Sequence, residues 1–345
     1  GLLLELLQVE LQARRPGDVG AAAAELEALA ERALGQGDTA HARLGFHMLS
    51  YLRWEEGDLS DAQRHMMRAE VVSRAGDERA QVVAMAEAAR CLVLLERDLP
   101  RAEALALEAS ARSSRLGLRP SAIADAQGML RQHQGSLAEA AELFEESRVE
   151  AHREGDAMGE FQALEHLVIL RQQQGDWAGA RRLAVELDAL GGKLREGSEA
   201  PFARALLALS RHALGEAGAE DALEAALEEL RRADAKLRLA YALTRAARLD
   251  LDRGRPGRAR ARAEEARGAA EALARPTEAL LAKLTLVRAC RELAEDSEAG
   301  RLLGELHAVA AVGAAEIARR EVADLLAEAA RGAATGREGF PEEGA

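Results

Sequence analysis

The 345-residue chain contains no asparagine, two cysteines and only 3% aromatic residues. Cys91 and Cys290 are far apart, each in a stretch of strong helix formers, so neither a disulfide framework nor a cysteine-rich metal site is indicated. We interpret both as small core residues of a protein in the reducing cytoplasm. With so few aromatic residues, the core must be built from Ala, Leu and Val.

Long apolar runs are also missing. No stretch approaches the roughly 18 apolar residues of a membrane span, and no signal peptide is visible, so we expect no membrane contact. The net charge of −13 disfavours nucleic acid as a partner, because phosphate binding needs a basic surface. The chain begins at Gly1, already within a helical pattern, so we expect it to be part of a longer protein.

The common motifs of catalysis and cofactor binding are absent as well. The sequence has no G-x-x-x-x-G-K-[ST], no H-E-x-x-H and no C-x-x-C motif. Its eight histidines are scattered singly, and the closest pair, His41 and His47, does not share a helix face well enough to bind a metal. We therefore predict that the chain is not an enzyme and has no cofactor and no metal.

What the sequence does contain is a regular series of helix–helix corners. Glycine ends a helix because it reaches the left-handed conformation at no steric cost, and a following aspartate caps the next helix. Such corners, intact or degraded, recur about every 40 residues at Gly17-Asp18, Gly57-Asp58, Arg97-Asp98, Gly135-Ser136, Gly175-Asp176, Gly215-Glu216, Gly254-Arg255 and Glu295-Asp296. A second series, from Gly37-Asp38 to Val312-Gly313, falls about halfway between them. The chain is thus expected to turn about every 20 residues.

Small residues follow these corners at fixed intervals. Alanine comes four to five residues later at Ala62, Ala102, Ala140, Ala180, Ala259 and Ala299, and in looser register at Ala22 and Ala222. Another small residue often lies seven positions further on, at Ala69, Ala109, Ser147 and Ala266. Residues seven apart share a helix face, so these side chains allow a neighbouring helix to approach closely.

Together these features resemble the tetratricopeptide repeat (TPR) family, which has a Leu and a small residue in the first helix of each pair, Gly-Asp at the corner and Ala twice in the second helix. The resemblance is carried by Leu49-Ser50, Gly57-Asp58, Ala62 and Ala69; by Gly128, Gly135, Ala140 and Phe144; and by Leu167, Gly175, Asp176, Trp177 and Ala180. The period is longer than the family's usual 34 or so, and the closing Pro is missing. Repeats of this longer kind are similar to the regulatory arrays of bacterial signalling proteins and of kinesin light chains.

The resemblance implies an all-α fold, a right-handed TPR-like superhelix. We expect eight helix pairs over residues 1–312, a capping helix over 313–332 and a disordered tail over 333–345. The first helix, 2–15, is apolar nearly all round, which predicts either an upstream neighbour or a homodimer contact. The loop from Gly191 to Gly197 is expected to be a long turn, with a hinge or a loop that touches a partner as alternatives. The alternative fold is an Ala-rich helical bundle without repetition.

In the TPR family the first helix of each pair lines a concave groove, and carrying those positions over gives candidate partner-binding residues. They are His47, Tyr51, Trp54, Glu87, Asp125, Met129, Gln132, Glu165, Gln172, Phe202, His212, Tyr241, Thr244, Arg248, Arg288 and Arg291. Aromatic and Arg side chains are the usual anchors of protein–protein binding, although Tyr51 and Trp54 are also suited to filling space between helices. Without asparagine, the groove lacks the Asn contacts by which the family's chaperone-binding and peptide-sensing arrays hold their ligands.

From the resemblance we predict a non-enzymatic interaction module, the sensor or regulatory TPR region of a larger bacterial signalling protein. Its partner in the concave groove is expected to be a protein or peptide, or an upstream domain of the same polypeptide. The alternative is a structural scaffold that oligomerises through its apolar first helix.

The basic stretch from Arg253 to Arg262 has two interpretations. The sequence Arg253-Gly254-Arg255-Pro256 resembles the core of a minor-groove AT-hook. Its place at a repeat corner, with proline at a helix start, favours a basic outer face instead.

Overall fold

The computed structural model describes residues 5, 6, 8, 9, 19–194, 197–308 and 313–337. Beyond residues 5–9, this part of the chain forms sixteen α-helices and contains no strand, which confirms the predicted all-α fold. The helices are α1 Val19–Gly35, α2 Thr39–Glu55, α3 Leu59–Ser73, α4 Glu78–Leu94, α5 Leu99–Leu116, α6 Ser121–His133, α7 Leu137–Glu154, α8 Ala157–Gln173, α9 Trp177–Leu194, α10 Glu199–Ala213, α11 Ala219–Arg232, α12 Lys236–Asp252, α13 Pro256–Ala272, α14 Pro276–Glu292, α15 Asp296–Ala308 and α16 Glu316–Arg337. Within these described ranges, no helix combines the length and apolar character needed to cross a bilayer.

The chain divides into two compact units, residues 1–242 and 243–345. In the first unit each helix from α1 to α10 packs against the next one. The first helices of successive pairs also contact one another, α4 with α6, α6 with α8 and α8 with α10. In the second unit α14 packs against α13, α15 and α16. This pattern of helix pairs is the one that the repeating corners predict.

At the corners, glycine has the left-handed conformation and aspartate caps the next helix, as predicted. Gly57, Gly155 and Gly175 have φ values of 82°, 71° and 74°, a region that glycine enters at low cost. The Asp156 carboxylate then accepts the Gly159 backbone N–H at 3.0 Å, and capping bonds of this kind recur at Asp38, Asp58, Asp77 and Asp176. Each such corner therefore satisfies an N–H group that would otherwise lack a partner at the start of a helix.

The small residues that follow the corners are buried, as their spacing predicts. Among them, Ala102, Ala109, Ala140, Ala180, Ala259 and Ala266 have no solvent exposure. The exception is Ala222, which is only half-buried. In that helix Ala219 and Ala226, also seven residues apart, take the buried positions instead, so the alanine pair begins three residues earlier.

Two helix ends differ from the prediction. Helix α9 continues to Leu194 and thus through most of the predicted loop, because Leu183, Leu187 and Gly191 keep one face of its last turns buried. Helix α16 extends to Arg337, five residues beyond the predicted limit of the cap. The rest of the predicted tail, residues 338–345, lies outside the described residues, and so does most of the predicted first helix.

Helix α16, for which a capping role was predicted, has its apolar side against the rest of its unit. Ala318, Val322 and Leu325 join a buried cluster with Leu284 and Leu302. The helix also begins 40 residues after α14, which itself begins 40 residues after α12. By its register, α16 therefore occupies the position of the first helix of a further pair.

Degraded corners place non-glycine residues in the left-handed region. Ala294 has φ 57° and is exposed at the end of α14. A left-handed L-residue costs roughly 1–2 kcal/mol, and glycine avoids most of that cost. We expect Ala294→Gly to raise the free energy of unfolding by about 0.5–1 kcal/mol, as measured by urea denaturation.

The matched reverse change is Gly215→Ala, at an exposed corner with φ 74° and no described atom within 4 Å of the added Cβ. It is expected to lower the free energy of unfolding by about 1 kcal/mol. Effects of the same sign at both positions would contradict this account of the corners.

Candidate functional site

A cavity of about 90 Å³ lies in the first unit, among the first helices of successive pairs. We call it the α2–α8 cavity. Its lining residues are His47, Ser50, Tyr51, Trp54, Ala62, Met66, Glu87, Arg90, Cys91, Leu94, Asp125, Met129, Gln162, Glu165, His166 and Arg238. The repeat brings these side chains together because residues on the same face of α2, α4, α6 and α8 point to one side of the stacked pairs.

One wall of the cavity is aromatic. Tyr51 and Trp54, three residues apart on α2, stack with ring centroids 5.8 Å apart. The Arg238 guanidinium lies over the Trp54 ring at 5.4 Å, and the Tyr51 hydroxyl donates a hydrogen bond to Glu199 Oε1 at 3.1 Å. Side chains of α10 and α12 therefore reach α2, which reduces the predicted open groove to a small cavity.

Arg90 lies at the centre of the lining. Its Nη2 pairs with Glu87 Oε2 at 2.8 Å, its Nη1 is 3.7 Å from Asp125 Oδ2, and it donates a hydrogen bond to the Gln162 side chain. Burial lowers the pKa of Arg90, but Glu87 and Asp125 together raise it above its ordinary value. The guanidinium is therefore held as a cation in a site shielded from water.

Asp125 differs from an ordinary acidic side chain in its burial and its lack of hydrogen bonds. The residue is only 2% exposed, and neither carboxylate oxygen has a hydrogen-bond partner among the described residues. The nearest cationic atoms are Arg90 Nη1 at 3.7 Å and His166 Nε2 at 3.8 Å. A buried carboxylate without hydrogen bonds is costly.

A second buried acid, Glu165, faces Arg238. Burial raises the pKa of the Glu165 carboxyl, while Arg238 lowers it. Arg238 Nη2 is 3.5 Å from Glu165 Oε2, and its Nη1 donates to Ser198 Oγ at 2.6 Å and to Glu199 Oε1 at 2.8 Å. Arg90 and Arg238 thus pair with four acidic side chains, those of Glu87, Asp125, Glu165 and Glu199.

Cys91 also lines the cavity. Burial raises the pKa of the Cys91 thiol to about 12, so the thiolate that a nucleophile needs is not formed at neutral pH. Within the described residues there is no group of three His, Cys, Asp or Glu side chains that could hold a metal ion.

The α2–α8 cavity contains seven of the residues that the sequence proposed for the groove, namely His47, Tyr51, Trp54, Glu87, Asp125, Met129 and Glu165. Others of the first unit lie elsewhere. Tyr241 donates to Gln172 Oε1 at 3.1 Å and meets Phe202 edge-to-face at 5.8 Å. Gln132 donates to Gln173 Oε1 at 2.9 Å, and His212 is buried. These side chains pack between helices rather than lining the cavity.

The proposed groove residues of the second unit are Thr244, Arg248, Arg288 and Arg291. Thr244 is buried and Arg288 is exposed. Arg248 pairs with Glu321 of α16 at 2.7 Å, and Arg291 lies 4.0 Å from Glu328 of the same helix. Burial lowers the pKa of Arg248 despite the attraction of Glu321. The capping helix therefore engages the arginines that were proposed to bind a partner.

Sequence reasoning missed Arg90, Gln162, His166 and Arg238, which are central to the cavity. Arg90 lies on α4, between Glu87 and Cys91. The family pattern selected Glu87 on that helix and not Arg90. His166 stacks on Phe144 at 4.8 Å and follows Glu165 directly. Arg238 belongs to the first turn of α12, one turn before the positions that the family pattern selects. Counting the whole inward-facing half of each first helix would have found them.

The basic stretch Arg253–Arg262 has an internal partner. Asp250, which has no solvent exposure, pairs with Arg255 at 2.9 Å, Arg258 at 3.1 Å and Arg262 at 2.5 Å. Three of the arginines that resemble an AT-hook core with its flanks therefore gather around a single buried carboxylate.

The described helices define an all-α protein of the TPR-like helical-repeat type. No family model and no curated protein matches the sequence. Among solved structures, the apo form of RapI has a TM-score of 0.56 at 13% identity, covering 79% of this chain and 98% of RapI. BtubC (BKLC) from P. vanneervenii has a TM-score of 0.43 at 18% identity, covering 62% and 89%. The apo form of the quorum sensor NprR from B. thuringiensis has a TM-score of 0.41 at 14% identity, covering 94% and 80%. At such identities the likeness to RapI concerns the fold alone.

Proposed function

We propose that this chain is a non-enzymatic interaction module that binds a protein or peptide at the α2–α8 cavity. In this proposal it is the sensor or regulatory region of a larger bacterial signalling protein in the cytoplasm. Its partner is either a separate molecule or another domain of the same polypeptide.

The observation that carries the proposal is the set of buried polar groups around the cavity that lack partners. Both Asp125 oxygens and the Trp54 indole N–H have no hydrogen-bond partner among the described residues. Folding alone gains nothing from leaving such groups unpaired, since each costs about 1–3 kcal/mol. An arrangement of this kind, next to an aromatic wall, supports a binding site better than a purely structural core.

The contacts around the cavity also suggest how binding is transmitted. The Tyr51–Glu199 hydrogen bond and the stacking of Arg238 over Trp54 join α2 to α10 and α12. A ligand that competes for these side chains would favour an arrangement of the first unit in which they are released. Such a change in helix arrangement would then bias a connected domain.

One further observation favours an interaction module over the scaffold alternative. Leu6 and Val9 of the apolar first helix are buried against Leu26 and Leu49 of the same chain. These two side chains are therefore covered within the chain, without a second copy.

The proposal is tested by selecting peptides from a phage-displayed random library on the purified chain. Bound peptides are expected to lose at least tenfold in affinity with Trp54→Leu, because aromatic anchors contribute about 2 kcal/mol or more at binding hot spots. The matched control is Val185→Ala on α9, a side chain 53% exposed and outside the cavity. Failure to select any binder, or binders unaffected by Trp54→Leu, would contradict the proposal.

A further inference from the structure

Among the described residues that line the α2–α8 cavity, buried acceptors without a hydrogen-bond partner outnumber such donors, of which the Trp54 indole N–H is one. The acceptors include both oxygens of Asp125 and Oε2 of Glu165, and Oε2 of Glu199, outside the lining, also lacks a hydrogen-bond partner among the described residues. A ligand group that satisfies them has to donate several hydrogen bonds. A positively charged group suits Asp125, whose nearest cationic atoms, Arg90 Nη1 at 3.7 Å and His166 Nε2 at 3.8 Å, do not donate a hydrogen bond to it.

The cavity already accommodates the head groups of two arginines. Arg238 lies 5.4 Å from the Trp54 centroid and 5.6 Å from the Phe202 centroid, and its fork reaches Glu199 and Ser198. Guanidinium is planar, stacks on aromatic rings and donates in a fork that matches carboxylates, whereas ammonium is a strongly hydrated point charge. Asp125 and Trp54 supply the same two kinds of group, a buried carboxylate and an aromatic ring, to the lining of one cavity, and so suit a further guanidinium.

Size limits what can enter. The cavity is small, about 90 Å³, so we expect it to take the head group of one side chain while the main chain of a ligand remains outside.

We infer that the α2–α8 cavity recognises a guanidinium group, supplied by an arginine side chain of the bound peptide or protein. The guanidinium donates to Asp125 and lies beside the Trp54 ring. This inference rests on the proposed function, and it specifies the chemistry of the partner's anchoring residue.

The test uses arginine amide as the probe and Trp54 fluorescence as the signal, in a Trp177→Phe background that leaves Trp54 as the single tryptophan. At constant ionic strength, arginine amide should change the emission saturably. Citrulline amide, which keeps the shape but loses the charge, should bind at least about tenfold more weakly, and lysine amide should also be weaker. No saturation, or equal binding of either analogue, would overturn the inference.

Substitutions in the cavity lining test whether arginine amide binds in the α2–α8 cavity. Asp125→Asn is expected to weaken arginine amide at least about tenfold, whereas Asp221→Asn, an exposed acid on α11, should leave it unchanged. If Asp125→Asn fails to fold, Glu165→Gln is expected to weaken arginine amide in the same way. Arginine amide binding that survives the folded variant would place the site elsewhere and overturn the inference.

The two hypotheses fail in different ways. Selected peptides that depend on Trp54 but contain no arginine would refute the guanidinium site and leave the interaction module intact. Saturable arginine amide binding without any peptide or protein binder would refute the proposed function instead.

Discussion

Replacing Asp250 with asparagine is expected to lower the free energy of unfolding of the second unit by about 3–5 kcal/mol, because it leaves buried arginines without their counter-ion. Asp250 has no solvent exposure, and Arg262, its closest partner at 2.5 Å, is only 6% exposed on its side chain. Arg255 and Arg258 are about one-third exposed, so solvent screens them and they contribute less.

Urea denaturation followed by circular dichroism measures this effect. The matched control is Asp252→Asn, an exposed acid on the same helix, which should stay within about 0.5 kcal/mol of the parent. Combining Asp250→Leu with Arg262→Met should recover most of the loss, since a buried ion pair replaced by apolar groups is often close to neutral. An Asp250→Asn variant as stable as the parent would show that the arginine cluster is not stabilised by this carboxylate.

Gly128→Ala is expected to destabilise the first unit by about 1–3 kcal/mol through overpacking. An added Cβ on α6 would lie 2.7 Å from two ring atoms of Phe144. The ring cannot move away easily, because Phe144 has no solvent exposure and the His166 imidazole stacks on it at 4.8 Å. The same denaturation experiment measures the loss.

Two further variants make the Gly128 result specific. Gly300→Ala, at a helical position with no described atom within 4 Å of the new Cβ, should stabilise the chain by about 0.5–1 kcal/mol. Adding Phe144→Leu to Gly128→Ala should cost less than the sum of the two single changes, because the smaller side chain removes the clash. Strict additivity would argue against a direct contact.

The helices could be predicted from the sequence because their ends are determined locally. Glycine and aspartate at a corner act on their own helix ends, so α2, α3 and α9 begin directly after Asp38, Asp58 and Asp176, where the corners place them. The end of α9 could not be predicted in this way. Gly191 lies inside that helix and packs close to Phe161 and Ala200, so a tertiary contact outweighs the local tendency of two adjacent glycines to end a helix.

The site could be predicted only in part, for a related reason. Repeat register identifies which residues of α2, α4, α6 and α8 share a side, and it found Trp54, Glu87 and Asp125. It cannot show how far the pairs curve, and the curvature brings Arg238 to Trp54 and Glu199 to Tyr51. Tyr51 and Glu199 are 148 positions apart in the sequence, and Trp54 and Arg238 are further apart still. No local sequence pattern indicates such contacts.

The most direct test of the central claim, that the α2–α8 cavity is the binding site, is an NMR titration of the indole N–H resonances with a selected peptide. The chain has two tryptophans, and the spectrum of Trp177→Phe assigns them. Binding at the cavity predicts a shift of the Trp54 resonance with that of Trp177, on α9, unchanged. A bound peptide that shifts Trp177 and leaves Trp54 unaffected would contradict the account.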